Sequence, residues 1–279
     1  MTHTLLFANF KGGVGKTTNS VMTAYELSKL GYKTLVCDLD PQANATQLLR
    51  RTYTLQHNEE MAFPETMMVA LKNEDIKPAI VEVMKNLYLL PSHKDFVNYP
   101  DFLELKYLAN MPNYKERRIS YFNNQLKQVQ NEYDFIIIDV PPTLSIYTDS
   151  ALYASNYYVI PNRIDRYSIT GIDSLQDSIK GLINTQDLTL QCLGIIYTMV
   201  PLGIGKKQER IKHSFESKKA VNELDIFSAE SHIVNDIQVG ITGGTLPTKY
   251  QESLADIEAI TEELISRTNN SESETKENE

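Results

Sequence analysis

At 279 residues, 42% of them apolar and 23% charged, the chain has material for one large globular domain or two smaller ones. A net charge of -9 excludes a protein that is basic over its whole surface, yet leaves room for a local basic patch. Only two cysteines, Cys37 and Cys192, lie far apart in apolar runs, and no apolar run approaches the roughly 18 residues that span a bilayer. A disulfide framework and a transmembrane helix are therefore not expected, and the cysteines read as reduced core thiols of a cytoplasmic protein.

Residues 5–8 form an apolar, strand-like run that begins too early in the chain for a signal peptide to precede it. The run breaks into Lys11-Gly12-Gly13-Val14-Gly15-Lys16-Thr17-Thr18. Glycines at this density let successive N–H groups turn inward around an anion, and a helix opening at Lys16 adds its positive end. Lys16 is placed to reach the β- and γ-phosphates of a nucleotide, and the Thr17 hydroxyl to ligate Mg²⁺. One position departs from the general phosphate loop: its first glycine is replaced by Phe10, and an additional lysine, Lys11, stands directly before the glycine pair.

Residues 17–30 read as a helix with Val21, Ala24, Leu27 and Leu30 on one stripe, closed by Gly31. Residues 33–37 form a strand that ends in Asp38-Leu39-Asp40-Pro41-Gln42, and a further helix starts near Asn44. Amphipathic helical pieces are expected over 67–71 and 76–84, and a strand over 87–90. Residues 96–121 read as helical with a break near Pro112, followed by a helix over 119–130. Phe135-Ile136-Ile137-Ile138-Asp139 is a continuous apolar strand with a terminal carboxylate, as in a parallel strand buried on both faces. An Asp at that end suits the Mg²⁺ shell of a phosphate loop.

Beyond it come a helix over 144–155, a strand over 157–161, a helix over 168–185 and a strand over 190–199. A charged helix is expected over 206–222, a short strand within 225–234, a loop over 240–247 and a last amphipathic helix over 248–267. Residues 268–279 hold four Glu, one Lys and no apolar residue, and read as a disordered acidic tail behind a single domain over 1–267. Alternating strands and helices imply an α/β fold, a doubly wound, mainly parallel twisted sheet flanked by helices.

The segment 11–18 resembles the deviant Walker A motif of the ParA/MinD ATPases, in which the first lysine is the signature lysine. Three further places extend the resemblance to ParA-type partition ATPases: residues 38–46, residues 135–142, and Val159-Ile160-Pro161 with Gly171. Ala43 stands where the family usually has glycine. The resemblance implies an ATP-bound homodimer in which Lys11 reaches the partner's nucleotide and Lys16 with the amides of Gly12, Gly13, Val14, Gly15 and Thr18 holds the phosphates. Thr17, Asp40 and Asp139 would serve the metal, Asp40 also positioning the attacking water, and Asp38 would support this loop. A base pocket would involve Thr198, Val234 and Asp236, although 233–236 departs from the family pattern there. The implied cofactors are ATP and Mg²⁺, and the implied partners are non-specific DNA and a ParB-type centromere-binding protein.

Residues 206–219 carry Lys206, Lys207, Arg210, Lys212, Lys218 and Lys219 against two Glu, a net of +4. Such a cluster suits either a solvated helix face or a track for DNA phosphates. Arg163 and Arg166 are secondary candidates. Without an N-terminal helix-turn-helix, specific operator binding is not expected. A MinD-like membrane-associated positioning ATPase would share the loop, but it would end in a basic amphipathic helix rather than an acidic tail. An electron carrier resembling the nitrogenase iron protein would need bridging cysteines, and a metabolic ligase would need substrate residues that do not stand out. The expectation is a cytoplasmic, nucleoid-associated ATPase without membrane binding.

Overall fold

The computed structural model describes residues 2–165, 168–201, 203, 205–218, 221, 223–232 and 251–278, with the backbone alone at 168–170, 251–254, 272 and 274–278. The central feature is a sheet whose order is β3-β4-β2-β5-β1-β6-β7-β8. The strands are β1 (His3–Phe7), β2 (Thr34–Asp38), β3 (Val81–Met84), β4 (Leu87–Leu90), β5 (Phe135–Asp139), β6 (Tyr157–Arg163), β7 (Gln191–Val200) and β8 (Ser231–His232). Every neighbouring pair runs parallel except the edge pair β3 and β4. This is the doubly wound sheet that the alternation of elements implies.

Side-chain alternation along the strands divides the core in two. Leu5 and Phe7 of β1, Val36 of β2 and Ile137 of β5 face one layer, where helices α1 (Lys16–Lys29), α2 (Asn44–His57) and α10 (Gln251–Asn278) pack. Leu6, Leu35, Cys37, Ile136 and Ile138 face the other. That layer is covered by α3 (Met67–Lys72), α4 (Tyr99–Lys106), α6 (Tyr121–Leu126), α7 (Ile146–Ala154) and α8 (Ser168–Gln186). Helix α5 (Tyr114–Ile119) precedes α6, and α9 (Lys206–Glu216) docks through Phe215. Because β5 is buried on both faces, its apolar run is continuous rather than alternating.

Strand order positions the site. β5 inserts between β1 and β2, in register so that Asp38 lies beside Asp139. The chain leaves β1 toward β2 and leaves β5 toward β6, in opposite directions. That divergence opens a crevice at the carboxyl ends of the strands, where ligands of open α/β sheets bind. Helix α1 ends as expected: Gly31 takes φ 96°, and N–H groups of Gly31 and Tyr32 return to the carbonyls of Ser28 and Leu27.

Several expectations differ from the observed elements. Residues 76–84 are not one helix: a 3₁₀ turn, Lys77–Ala79, holds Pro78, and β3 then follows. Glu82 exposed beside buried Val83 is the two-residue period of a strand. The break expected near Pro112 begins earlier, since α4 stops at Lys106 and α5 starts after Asn113, which has φ 53°. Leu30, placed on the buried stripe of α1, is 50% exposed because the cap turns it outward. Helix α9 ends at Glu216, and among the described residues of 225–234 the expected strand is reduced to β8 and a single bridge from Ile226 to Ile195. Helix α10 continues to Asn278, through residues expected to be unstructured, since extending a packed helix requires no new nucleus. The loop expected over 240–247 lies outside the described residues.

Gly194 of β7 has φ 128°, and a Cβ there would stand 2.5 Å from the Asp225 carbonyl and 2.6 Å from Arg267 Nη1. Gly194→Ala should therefore destabilise the fold by about 2–4 kcal/mol, measured by urea unfolding. A midpoint equal to wild type would show that β7 and the Asp225 segment can separate without cost.

Candidate functional site

The glycine loop is shaped by its own residues and braced from three sides. Gly13 and Gly15 adopt φ 71° and 80°, and a Cβ at Gly15 would meet Asn19 Nδ2 at 3.0 Å. Asn19 donates that amide to the Gly15 carbonyl at 2.8 Å. The Thr198 hydroxyl, from β7, donates to the Val14 carbonyl at 2.7 Å, and Thr198 is only 1% exposed. Thr198, expected near a base, is thus engaged as a brace under the loop. Asn9 ties the entry of the loop to β6, accepting from Lys11 N–H at 2.9 Å and donating to the Pro161 carbonyl at 2.8 Å.

A cavity of about 350 Å³ opens over the loop, lined by Gly12, Gly13, Gly15, Lys16, Thr17, Thr18, Asp40, Asn44, Leu48, Val140, Pro142 and Met199. Lys16 is buried, and its ammonium donates to the Lys11 carbonyl at 3.3 Å. Burial draws its pKa down, against the pull of Asp139 and Asp40. The Thr17 hydroxyl donates to Asp139 Oδ2 at 2.8 Å, and Ser20 approaches Oδ1 at 3.5 Å. Lys16, Thr17 and Asp40 thus share one cavity wall, with Asp139 behind Thr17. Buried cation, loop amides and hydroxyl suit a polyanion, while the carboxylates suit a hard divalent cation.

Asp38 and Asp139 are both fully buried. Burial pushes both carboxyls above the usual range; the charges of Asp38 and Asp40 raise Asp139 further, and that of Asp40 raises Asp38. Asp38 is compensated by the Thr46 N–H and hydroxyl at 2.8 and 2.7 Å and by the Asp40 N–H at 3.1 Å. Asp40 itself accepts the Gln42 N–H at 2.9 Å. Ala43 takes φ 56°, a left-handed conformation that costs an alanine about 1–2 kcal/mol and a glycine little. That is a physical reason for the glycine usual in the resembling family.

Lys11 points away from Lys16 and forms an ion pair with Asp165, in the segment after β6. Of the basic cluster, Lys206, Lys207 and Arg210 are exposed on α9. Lys212 instead pairs with Glu230 at 2.8 Å and lies over the Tyr197 ring, and Lys218 pairs with Asp173 at 2.9 Å. Val234, Asp236, Arg166 and Lys219 lie outside the described residues. Sequence reading gave no role to Asn9, Asn19, Thr46 or Asp165. Thr46 stood inside a quoted motif; the others carry no local signal. Among the described residues, no helix is long and apolar enough to cross a membrane.

A carboxyl raised by folding binds more protons in the native chain than in the unfolded one, so stability falls as pH rises toward the raised value. Asp139→Asn removes one buried charge and keeps an acceptor for Thr17. The nucleotide-free variant should gain on the order of 1–3 kcal/mol near pH 8, and less near pH 5, in thermal melts. A lower melting temperature at both pH values would show that the Asp139 charge is fully compensated.

The family model of the AAA domain (AAA_31) matches residues 2–192. The virulence plasmid ParA family protein pGP5-D of Chlamydia psittaci is 31% identical over 197 residues, covering 70% of this chain and 68% of that protein. The chromosome-partitioning ATPase Soj of Treponema pallidum is 29% identical over 212 residues, 76% of this chain and 77% of its own. Among solved structures, apo McdA of Cyanothece superposes with a TM-score of 0.77 at 22% identity, over 95% of this chain and all of that one. By the matched AAA domain and by identity to ParA relatives across more than two thirds of its length, the chain belongs to the ParA-type partition ATPases.

Proposed function

We propose that the chain is a Mg²⁺-dependent ATPase whose ATP-bound sandwich dimer binds DNA without reading its sequence, and so positions plasmid or chromosomal DNA. The observation that carries this reading is that Lys16, Thr17 and Asp40 line one glycine-rich cavity, with buried Asp139 hydrogen-bonded to Thr17 behind its wall. Lys16 and the amides of residues 12–18 hold phosphate oxygens. Thr17, oriented by Asp139, would offer its hydroxyl oxygen to the metal, and Asp139 would support the metal's shell. When bound, Mg²⁺ neutralises charge on the phosphate oxygens. Asp40, on the cavity wall, orients the attacking water. Catalysis of this kind is positioning plus charge stabilisation, with little covalent work for the protein.

Lys11 serves the partner subunit's nucleotide. Its ammonium lies beside Asp165, outside its own cradle, so reaching across exchanges a carboxylate for phosphate. The exposed cations Lys206, Lys207 and Arg210 form the DNA track, doubled by dimerisation and sensitive to salt. A ParB-type adaptor stimulates the slow hydrolysis and releases the dimer from the nucleoid. The name of the Treponema pallidum relative as a chromosome-partitioning ATPase supports this cycle.

Lys11→Ala should keep nucleotide affinity within about threefold and lose hydrolysis, whereas Lys16→Ala should weaken binding itself at least about tenfold. Equal ATPase rates for Lys11→Ala and wild type would remove the shared, two-subunit site. Replacing Lys206, Lys207 and Arg210 by Glu should lower ATP-dependent retention on non-specific DNA at least about tenfold at moderate salt. Unchanged retention would place the DNA surface elsewhere. Co-sedimentation with liposomes but not with DNA would overturn the partition reading.

A further inference from the structure

Asp38, Thr46 and Ser92 do not line the cavity, yet they form a continuous hydrogen-bonded run that ends beneath Asp40. The Ser92 N–H, just past the end of β4, donates to Thr46 Oγ1 at 2.9 Å. The Thr46 hydroxyl donates onward to Asp38 Oδ2 at 2.7 Å, and the Thr46 N–H reaches the same oxygen at 2.8 Å. The other oxygen, Oδ1, accepts the Asp40 N–H at 3.1 Å. All four residues are nearly or wholly buried.

Each link has a physical reason. Thr46 is in the first turn of α2, where backbone N–H groups lack helical partners and a carboxylate is favoured. The N–H alone would satisfy that need. The hydroxyl adds a second donor from a different direction, which fixes the plane of the Asp38 carboxylate and aims Oδ1 at Asp40. Threonine in a helix has two χ1 rotamers open to it, and the bonds its hydroxyl makes to Asp38 and accepts from Ser92 select one of them.

We infer that Thr46 is a positioning residue, which acts through Asp38 to set the backbone of Asp40 and thereby the place where the Asp40 carboxylate meets the attacking water. This rests on the ATPase reading above. Phosphate binding uses the glycine loop and Lys16, which the run does not touch, so loss of the hydroxyl falls on turnover rather than on nucleotide affinity. Small misplacement of such a group far from the bonds being made is enough to slow a reaction strongly.

The test uses the full-length protein with Thr46→Val, which keeps the shape and removes the hydroxyl, and Thr46→Ser, which restores it. Thr46→Val should lower kcat at least about tenfold with KM for ATP changed less than about twofold, and Thr46→Ser should return kcat close to wild type. Without nucleotide, hydrogen exchange should quicken at least about tenfold at the Asp40 and Ser92 amides of Thr46→Val. It should stay unchanged at the Ala8 amide, which is bonded to Val159 across the sheet. If the valine variant does not fold, Thr46→Cys takes its place, and its weaker donor should give a kcat between those of serine and no turnover. A valine or cysteine variant with wild-type kcat, a change confined to KM, or unaltered exchange at Asp40 would overturn the inference. A wild-type protein that turns over no ATP sinks the ATPase reading and this inference together. An active wild type beside an equally active Thr46→Val sinks this inference alone.

Discussion

Two carboxylates buried side by side dominate the physics of this protein. Asp38 and Asp139 occupy aligned positions on adjacent parallel strands, and neither is exposed to solvent. Charged groups so placed are costly unless donors surround them. The structure supplies donors from separate elements: Thr17 and Ser20 of α1, Thr46 of α2, and the backbone under Asp40. Lys16 adds a cation beside the same group. The negative charge that these donors leave uncompensated is of the kind that a hard divalent cation relieves.

This constraint rests on strand order. Only because β5 lies between β1 and β2 does Asp139 fall between the glycine loop and the Asp38 turn. The loop is then held still by contacts from outside it, Asn9 to β6 and Thr198 from β7. Donors fixed before the ligand arrives need no rearrangement during the reaction, which is where such sites derive most of their power. The two lysines of the loop are separated by the same framework. Lys16 turns into the cavity, while Lys11 turns out to Asp165.

The parts of the chain that could be read without coordinates are those whose physics is local. The run 135–139 announces a doubly buried strand because every residue is apolar until the last. The glycine loop announces itself because glycine takes the left-handed angles at 13 and 15 without strain. Residues 80–84 were open to misreading, since two valines, an isoleucine and a methionine over so short a stretch fit either period. Leu30 matched a helical stripe, but its place in the cap turned it to solvent. The basic cluster counts six cations in sequence, yet carboxylates distant in the chain occupy Lys212 and Lys218.

The sequence by itself determined the anion cradle, the apolar strands, and the carboxylates at the ends of those strands. These follow from backbone sterics and from side-chain patterning over a few residues. Tertiary structure alone decided which group meets which: Thr198 with Val14 across 184 positions, Lys11 with Asp165 across 154, Thr17 with Asp139 across 122. Even Thr46, only 8 positions from Asp38, meets it because helix α2 folds back over the end of β2. A hydrogen bond is satisfied within a few tenths of an ångström, and that precision depends on strand order and helix placement. Neither is written in any local stretch of the chain.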